Sequence, residues 1–190
     1  MIILASASPR RHQLLDMLGI EYVADSAEID EAPERGEHPE ALAARLARQK
    51  AMTVAQRHPC APVLGADTLV VIDGTILGKP SSGSEAEQML GMLSGRQHHV
   101  VTAVALVSDG AVHELCDVTK VWFRPLDEEL IKEYVASGEP LDKAGSYGVQ
   151  GKGAVLVERI EGDFFGVMGL PLRLVISLLQ SAGLPYRLTR

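Results

Sequence analysis

The chain has 190 residues, of which 46% are hydrophobic and 23% charged, and its formal net charge is −7. This size and balance predict a single globular domain over residues 1–190 with a substantial core. This acidic net charge argues against general nucleic-acid binding, which usually needs a basic face. Only two cysteines occur, Cys60 and Cys116, without metal-type spacing, and no apolar run approaches the ~18–20 residues of a membrane span. We therefore expect a cytoplasmic protein without disulfides, membrane contact or nucleic-acid partner.

The first predicted strand is Met1–Ala5, and a helix follows it directly. Ser8 before Pro9 is typical of a helix start, with serine as the N-cap and proline at the first helical position. Arg10 and Arg11 then lie in the first turn, where the helix dipole disfavours a cation by roughly 0.3–1 kcal/mol. The arrangement favours a bound anion, held by free backbone N–H groups and two guanidinium groups.

The middle of the chain alternates strands and helices. Residues 20–24 read as a short strand, and a long helix runs from Pro39 to about Gln56. The segment 61–80, APVLGADTLVVIDGTILGKP, predicts a strand, a break at its small residues, a second strand, a turn at Asp73-Gly74 and a short return strand. A helix follows over Ser82–Ser94.

The remaining segments complete an α/β pattern. The apolar run His99–Val107 predicts a central strand buried on both faces. After it we expect a turn at Asp109-Gly110 into a partner strand, a helix from Asp127 to about Ser137, a glycine-rich loop over 138–153, a strand at Ala154–Ile160 and a helix at Leu170–Ser181. Because two hairpins interrupt the alternation, the sheet should be mixed, in an α/β architecture.

Three polar positions outside the first helix are candidates for chemistry. Asp67 stands between apolar runs, so its carboxylate should be partly buried and needs a cation, a metal ion or hydrogen bonds. Lys79 lies between a glycine and a proline, which constrains its backbone. Gln150 lies in the glycine-rich loop and offers a donor and an acceptor that can read a base edge.

The acidic side chains are candidate metal ligands, whereas the paired histidines are not. Asp30 and Glu31 could bind a divalent metal ion together with Asp67, although acidic runs are usually solvated. Adjacent His98 and His99 point to opposite faces of a strand, which favours a structural role.

The candidate residues together favour metal-assisted water attack on a phosphate ester or anhydride. They include several cations and oxygen ligands suited to Mg²⁺ or Mn²⁺, and they contain no nucleophile–base pair. No Walker P-loop motif occurs, which disfavours an ATPase of that type.

Several motifs match one known family in order and spacing. They are LASASPRRHQLL, EIDE, LARQKA, GADTLVVIDGTILGKP, LSGRQHHVVTAVAL, EPLDKAGSYGVQGKG and GDFFGVMGLP. They run from residue 2 to beyond residue 175, and the chain closely resembles the Maf family of nucleoside triphosphate pyrophosphatases. The resemblance implies a Maf/Ham1 (ITPase-like) α/β fold, with a mixed twisted sheet flanked by helices and two lobes around a cleft. It also implies a homodimer, since the family is often dimeric.

The implied reaction is hydrolysis between the α- and β-phosphates of a nucleotide, with a divalent metal cation, Mg²⁺ or Mn²⁺. Asp67 matches the family's catalytic carboxylate, assigned as proton acceptor. The phosphate-gripping motif and further polar positions of the family fall on Ser8, Arg10, Arg11, Glu31, Lys50 and Lys79. We expect Asp67 and Glu31 to share the metal ion.

Within the family, the chain looks most like the dTTP/UTP pyrophosphatase branch. Arg10, Thr68 and Gln150 match positions thought to set base choice, and the 7-methyl-GTP branch typically has tryptophan where Arg10 stands. Gly166 departs from the pattern, because many relatives carry asparagine there. Two alternatives stay open: a 7-methyl-GTP pyrophosphatase, and a nucleotide-binding regulator of septum formation. A pure regulator would have no use for a poised Asp67 carboxylate.

Overall fold

The computed structural model describes residues 1–188, so the last two residues of the predicted 1–190 domain lie outside the described part. The strands are β1 Ile2–Leu4, β2 Tyr22–Ala24, β3 Val63–Ile72, β4 Thr75–Leu77, β5 Gln97–Ser108, β6 Ala111–Phe123 and β7 Val157–Glu161. The helices are α1 Pro9–Met17, α2 Pro39–Ala55, α3 Gly83–Leu93, α4 Glu128–Ala136, α5 Phe164–Met168 and α6 Leu172–Ser181. No helix within residues 1–188 is long and apolar enough to cross a membrane.

The strands form one sheet in the order β2-β1-β3-β5-β6-β7, with β4 paired to β3. Strand β1 is parallel to both β2 and β3, whereas the β3–β4 and β6–β7 pairs are antiparallel. The predicted α/β class with a mixed sheet is thereby confirmed. Both predicted two-residue turns are present, and Asp73, Gly74, Asp109 and Gly110 all have positive φ, as a tight hairpin turn of this kind requires.

The chain divides into two compact units. The first unit holds Met1–Asp67, Thr102–Asp117 and the chain from Gly169 onward, and the second holds Thr68–Val101 and Val118–Met168. In the first unit, β1 is buried along its whole length, which is typical of a parallel strand covered on both faces. The core of the second unit is built from α3, α4 and neighbouring strands around Phe123, Leu90 and Leu93.

The predicted break within residues 61–72 is wrong, because β3 runs unbroken from Val63 to Ile72. Gly65 lies inside this strand for a packing reason. A Cβ atom there would stand 2.4 Å from the carbonyl oxygen of Ala47 and 2.8 Å from the amide nitrogen of Ala51. The missing side chain lets α2 approach the strand at backbone distance, so the glycine is a contact point rather than a breaker.

The predicted loop over 138–153 is also wrong in detail. Three short 3₁₀ turns occupy Glu139–Asp142, Ala144–Ser146 and Gly151–Leu156, so β7 begins at Val157 rather than at residue 154. The Glu139 carboxylate organises this segment by accepting hydrogen bonds from the N–H groups of Lys152 and Gly153. Glycine content predicted a loop without regular structure, but these carboxylate hydrogen bonds hold the backbone in short turns.

Two smaller differences concern the last third of the chain. Residues of the GDFFGVMG stretch form the five-residue helix α5, which the pattern of apolar residues did not predict. The last helix begins at Leu172, two residues later than predicted. The other predicted strands and helices are confirmed within three residues of their expected ends.

Candidate functional site

Asp67 lies in the interior of the first unit, at the centre of β3. The residue is 6% exposed, because β3 is an apolar strand with buried positions on both of its faces. A carboxylate removed from water costs several kcal/mol unless a cation or hydrogen bonds compensate it. The strand therefore requires a partner for Asp67.

That partner is Lys50, on helix α2. Its ammonium Nζ lies 2.6 Å from Asp67 Oδ1 and 2.7 Å from Glu31 Oε1, so one cation binds two carboxylates. The side chains of Lys50 and Asp67 are 12% and 8% exposed, whereas that of Glu31 is 56% exposed. The cluster is thus closed on the side of Asp67 and open to solvent on the side of Glu31.

Gly65 explains how Lys50 reaches Asp67. The glycine lies two residues before Asp67 in β3, and it brings the α2 backbone at Ala47 and Ala51 against the strand. Lys50 lies on the same stretch of α2, next to Ala51. Close approach of strand and helix lets the long lysine side chain fold back onto the carboxylate instead of extending into water.

Electrostatics of the cluster favour a carboxylate that can accept a proton. Burial raises the pKa of Asp67 above its usual range, and the neighbouring Glu31 carboxylate acts in the same direction. The Lys50 ammonium and the Arg11 guanidinium oppose this shift but do not cancel it. A carboxylate whose pKa is raised is a better general base than one at its ordinary pKa.

Arg11 is a second buried cation of the first unit, 9% exposed. Its Nε donates a hydrogen bond to the carbonyl oxygen of Gly169 at 2.9 Å, and its Nη1 donates to Ser6 Oγ at 3.1 Å. Burial lowers the pKa of Arg11, whereas the Asp67 carboxylate raises it. The guanidinium is therefore fixed in place and interacts electrostatically with the Asp67 cluster.

Ser8 and Arg10 occupy the start of α1, as predicted. Ser8 is the N-cap and Pro9 the first helical residue, but the Ser8 hydroxyl makes no capping hydrogen bond. Instead, the Ser8 N–H donates to Ser6 Oγ at 3.1 Å. The side chain of Ser6 thus organises this turn, and Arg10 lies beside Arg11, close enough to lower the pKa of Arg11.

Thr68, Lys79 and Gln150 belong to the second unit. Thr68 follows Asp67 directly in β3 and is half-buried, with its side chain on the opposite face of the strand. Lys79 is exposed after β4. The Oε1 atom of Gln150 is buried without a hydrogen-bond partner among the described residues. A buried amide oxygen without a partner is costly, which is consistent with an acceptor kept for a ligand.

The residues around Lys50 fit a hard divalent cation. Within residues 1–188, no group of three or more His, Cys, Asp and Glu side chains is placed to hold a metal ion. Mg²⁺ is usually held by one or two carboxylates together with water and substrate phosphates. Asp67 and Glu31, which already converge on one ammonium, supply that donor set.

Sequence reasoning missed two residues that organise this site. Gly169 was not singled out, although its carbonyl oxygen binds Arg11 across 158 residues of chain. Gly65 was interpreted as a break rather than as the contact point for α2. Neither role has a local signal, since both depend on which helix packs beside the glycine.

The histidine pair and the cysteines take no part in this cluster. His98 is 1% exposed, and its Nε2 lies 2.8 Å from the Tyr147 hydroxyl, so its structural role is confirmed. Both Cys60 and Cys116 are free and exposed.

The family model and the named relatives match nearly the whole chain. A family model described as "Maf-like protein" matches residues 1–182. Proteins named dTTP/UTP pyrophosphatase match from Symbiobacterium thermophilum (50% identity; 97% of this chain, 95% of that protein), Myxococcus xanthus (51%; 97% and 94%) and a Geobacillus species (47%; 96% and 98%). Among solved structures, the Staphylococcus aureus Ham1 protein matches with a TM-score of 0.47 and 14% identity over 64% of this chain and 71% of that one.

Proposed function

The chain belongs to the Maf family, and on that premise we propose that it hydrolyses nucleoside triphosphates, preferably dTTP and UTP, to the monophosphate and pyrophosphate. The observation that carries the proposal is the buried Asp67 carboxylate, with its raised pKa, held by Lys50 at 2.6 Å. The names of the relatives at 47–51% identity support the choice of substrate.

In the proposed reaction, water attacks the α-phosphorus and the bond between that phosphorus and the oxygen bridging to the β-phosphate breaks. The bond electrons leave with pyrophosphate, and Asp67 accepts the proton of the attacking water. Lys50 orients the carboxylate before attack, since its ammonium lies on Oδ1. The same ammonium can stabilise negative charge that develops on the phosphate oxygens.

Cations at the start of α1 bind the triphosphate in this proposal. Arg11 is held in place by Ser6 and the Gly169 carbonyl, so its charge needs no reorganisation when the substrate arrives. Arg10 and Ser8, on the same helical turn, contact phosphate oxygens. Lys79 is a further phosphate-binding cation.

A divalent metal cation, Mg²⁺ or Mn²⁺, held by Asp67 and Glu31, would neutralise phosphate charge and activate water. Glu31 is suited to this role by its position, because its side chain is 56% exposed while its carboxylate reaches the buried cluster. Arg10, Thr68 and Gln150 set the base preference, with the unpaired Gln150 oxygen as the acceptor for a base edge. The proposed location is the cytoplasm, in keeping with two free cysteines and a nucleotide substrate.

The first experiment measures pyrophosphate release from a panel of nucleoside triphosphates, including dTTP, UTP and 7-methyl-GTP, with Mg²⁺ or Mn²⁺. The Asp67→Asn variant is measured beside the wild type, and nucleotide binding is followed by calorimetry. We expect release from dTTP and UTP and a loss of about 10²–10⁴-fold in kcat for the variant, with binding retained.

Two other outcomes would overturn the proposal in different ways. Preferential release from 7-methyl-GTP would keep the reaction but reject the substrate assignment. Nucleotide binding without release from any member of the panel would support a nucleotide-binding regulator of septum formation instead.

A further inference from the structure

The loop that carries Gln150 is closed by its own backbone. Gly148 and Gly153 meet at its two ends, since a Cβ atom on Gly153 would stand 2.3 Å from the Gly148 carbonyl oxygen. Between them, Gly151 has a φ of 81°, in the left-handed region that favours glycine. Residues 148–153, here called the Gln150 loop, therefore form a tight closed segment of the second unit.

Two side chains hold the Gln150 loop, and we call them the Tyr134–Glu139 frame. The Tyr134 hydroxyl accepts a hydrogen bond from the Gly148 N–H at 3.2 Å and donates one to Glu139 Oε1 at 3.0 Å. The Glu139 carboxylate accepts from two N–H groups at the other end of the loop, at 3.0 and 3.1 Å. The backbone is thereby fixed on both sides of Gln150.

Both side chains of the frame have the protonation state that this bonding needs. Burial raises the pKa of Tyr134, so its hydroxyl keeps the proton that it donates to Glu139. Burial by itself would raise the pKa of Glu139 as well, but hydrogen bonds from the loop N–H groups and from Tyr134 lower it below its usual range. Glu139 is therefore ionised, and hydrogen bonds to a charged group are stronger than neutral ones.

The frame leaves one buried acceptor unused. Gln150 Oε1 is buried and has no hydrogen-bond partner within residues 1–188, while the printed bonds of Tyr134 and Glu139 go to the loop backbone and to each other. A buried acceptor without a donor is costly. A tightly held loop that nevertheless keeps such an atom is consistent with a ligand that supplies the donor.

The chemistry of the pyrimidine bases fits an acceptor held in one place. Uracil and thymine carry an N–H donor at N3, whereas cytosine has an unprotonated nitrogen, itself an acceptor, at the same position. A fixed amide oxygen therefore binds uracil or thymine and faces a lone pair in cytosine, which leaves both acceptors unpaired. A glutamine on a mobile loop could present its NH₂ group instead and accept either base.

We propose that Tyr134 and Glu139 are positioning residues for base recognition, because they hold Gln150 Oε1 as the acceptor for the N3–H of uracil or thymine. Neither side chain contacts the substrate, and both act through the Gln150 loop. This role rests on the base contact given to Gln150 in the proposed function, to which it adds the atom of the base that is bound and the source of the selectivity.

The first test measures binding of the α,β-imido analogues of dUTP and dCTP, in which nitrogen replaces the scissile bridging oxygen. Calorimetry with Mg²⁺ gives the ratio of the two affinities without turnover. We expect the wild type to prefer the dUTP analogue and Tyr134→Phe to lower the ratio about tenfold. Glu139→Gln should lower it in the same direction, because it removes the charge and leaves one acceptor oxygen where the frame uses two.

Tyr147→Phe is the matched control. Tyr134 and Tyr147 are 5% and 6% exposed, and both belong to the second unit, but the Tyr147 hydroxyl lies 2.8 Å from His98 Nε2. Its removal should leave the affinity ratio unchanged. Hydrogen exchange of a peptide spanning residues 148–153 should become faster in Tyr134→Phe and Glu139→Gln than in the control, and thermal unfolding checks that each variant folds.

A double-mutant cycle tests whether the hydroxyl acts through Gln150. Gln150→Ala should lower the affinity ratio at least as far as Tyr134→Phe, and adding Tyr134→Phe to it should lower the ratio no further. Additive effects would overturn the proposal, because Tyr134 would then act on the base by another route.

The remaining outcomes are also decisive. Equal weakening of both analogues in folded Tyr134→Phe and Glu139→Gln, with an unchanged ratio, would show a merely structural frame and overturn the proposal. A wild type that binds the two analogues equally would overturn it as well. If the ratios shift as expected but no nucleoside triphosphate is cleaved, base recognition stands and the proposed hydrolysis fails.

Discussion

Asp67 in the first unit and His98 in the second are both buried titratable side chains on strands, 6% and 1% exposed. In both, burial favours the neutral form: it raises the pKa of Asp67 and lowers the pKa of His98 to about 4. Their surroundings differ. The oxygen of Asp67 meets an ammonium, whereas the ring of His98 packs edge-on against Phe123 and Tyr147.

The difference separates a charged cluster that suits the proposed reaction from a packed aromatic core. Around His98, Nε2 meets the Tyr147 hydroxyl and two aromatic rings pack against the imidazole, while Nδ1 is buried without a hydrogen-bond partner among the described residues. Around Asp67, charged groups compete, and the cluster opens to solvent through Glu31. Burial shifts the pKa in both places, but only the Asp67 cluster combines a shifted carboxylate with neighbouring cations, which is the combination that the proposed reaction needs.

Removing the Lys50 counter-charge should have the largest effect on kcat. Lys50→Gln takes the ammonium from between Asp67 and Glu31, and we expect kcat for pyrophosphate release to fall about 10²–10³-fold. Lys50→Arg keeps the charge and should recover part of the rate. Circular dichroism and thermal unfolding check that both variants fold, and a Lys50→Gln variant of wild-type activity would remove Lys50 from the mechanism.

Displacing α2, which carries Lys50, should have an intermediate effect on kcat. Gly65→Ala introduces a Cβ atom 2.4 Å from the Ala47 carbonyl oxygen, so α2 must shift. Overpacking of this kind costs about 1–3 kcal/mol in the free energy of unfolding, and the displaced Lys50 should lower kcat as well. Urea denaturation and the pyrophosphate assay measure the two effects.

Gly91→Ala is the matched control for that substitution. Gly91 lies inside α3, and its added Cβ would meet nothing within 4 Å. Alanine is the better helix former by about 1 kcal/mol, so this variant should be more stable and fully active. If both alanine variants behave alike, the close approach at Gly65 does not position Lys50.

For His98, in the second unit, we predict that a change of pH alters stability but not activity. With a folded pKa of about 4 against 6.5, His98 binds a proton less readily in the folded state. Its contribution to the free energy of unfolding is therefore complete above pH 6.5 and falls, by on the order of 3 kcal/mol, as the pH drops toward 4.

His98→Gln isolates this contribution, since glutamine can keep a hydrogen bond to Tyr147 without titrating. Urea denaturation of wild type and variant at pH 7.5 and 4.5 gives the free energies of unfolding. The wild type should lose stability relative to the variant at the lower pH, while kcat at pH 7.5 stays unchanged. Equal losses in both proteins would show that His98 does not titrate in this range.

Local signals predicted most of the fold correctly. Pro9 at the start of α1 is one such signal. Asp127 is another, because its side chain caps α4 by accepting a hydrogen bond from the Leu130 N–H three residues later. The two Asp-Gly turns also carry their own backbone preference. Such features need no knowledge of what lies elsewhere in the chain.

The errors came from long-range contacts. Gly65 lies in a strand against which the α2 backbone packs closely, and the Glu139 carboxylate accepts hydrogen bonds from the turns after Gly138. For the site, residue types indicated a buried Asp67 and a phosphate-binding α1. The link from Lys50 to both carboxylates, and from Arg11 to Gly169, follows from the packing of distant segments.

The Lys50 ammonium also offsets the charge of Asp67 and Glu31 without a metal ion. A buried carboxylate such as Asp67 that relied on a divalent ion for neutralisation would leave the newly made chain unstable until the ion arrived, as in small zinc domains. Here a covalently attached cation occupies that position from the start. Under the proposed function, the chain would fold first and recruit a divalent ion afterwards, so that activity, rather than structural integrity, would depend on the metal concentration.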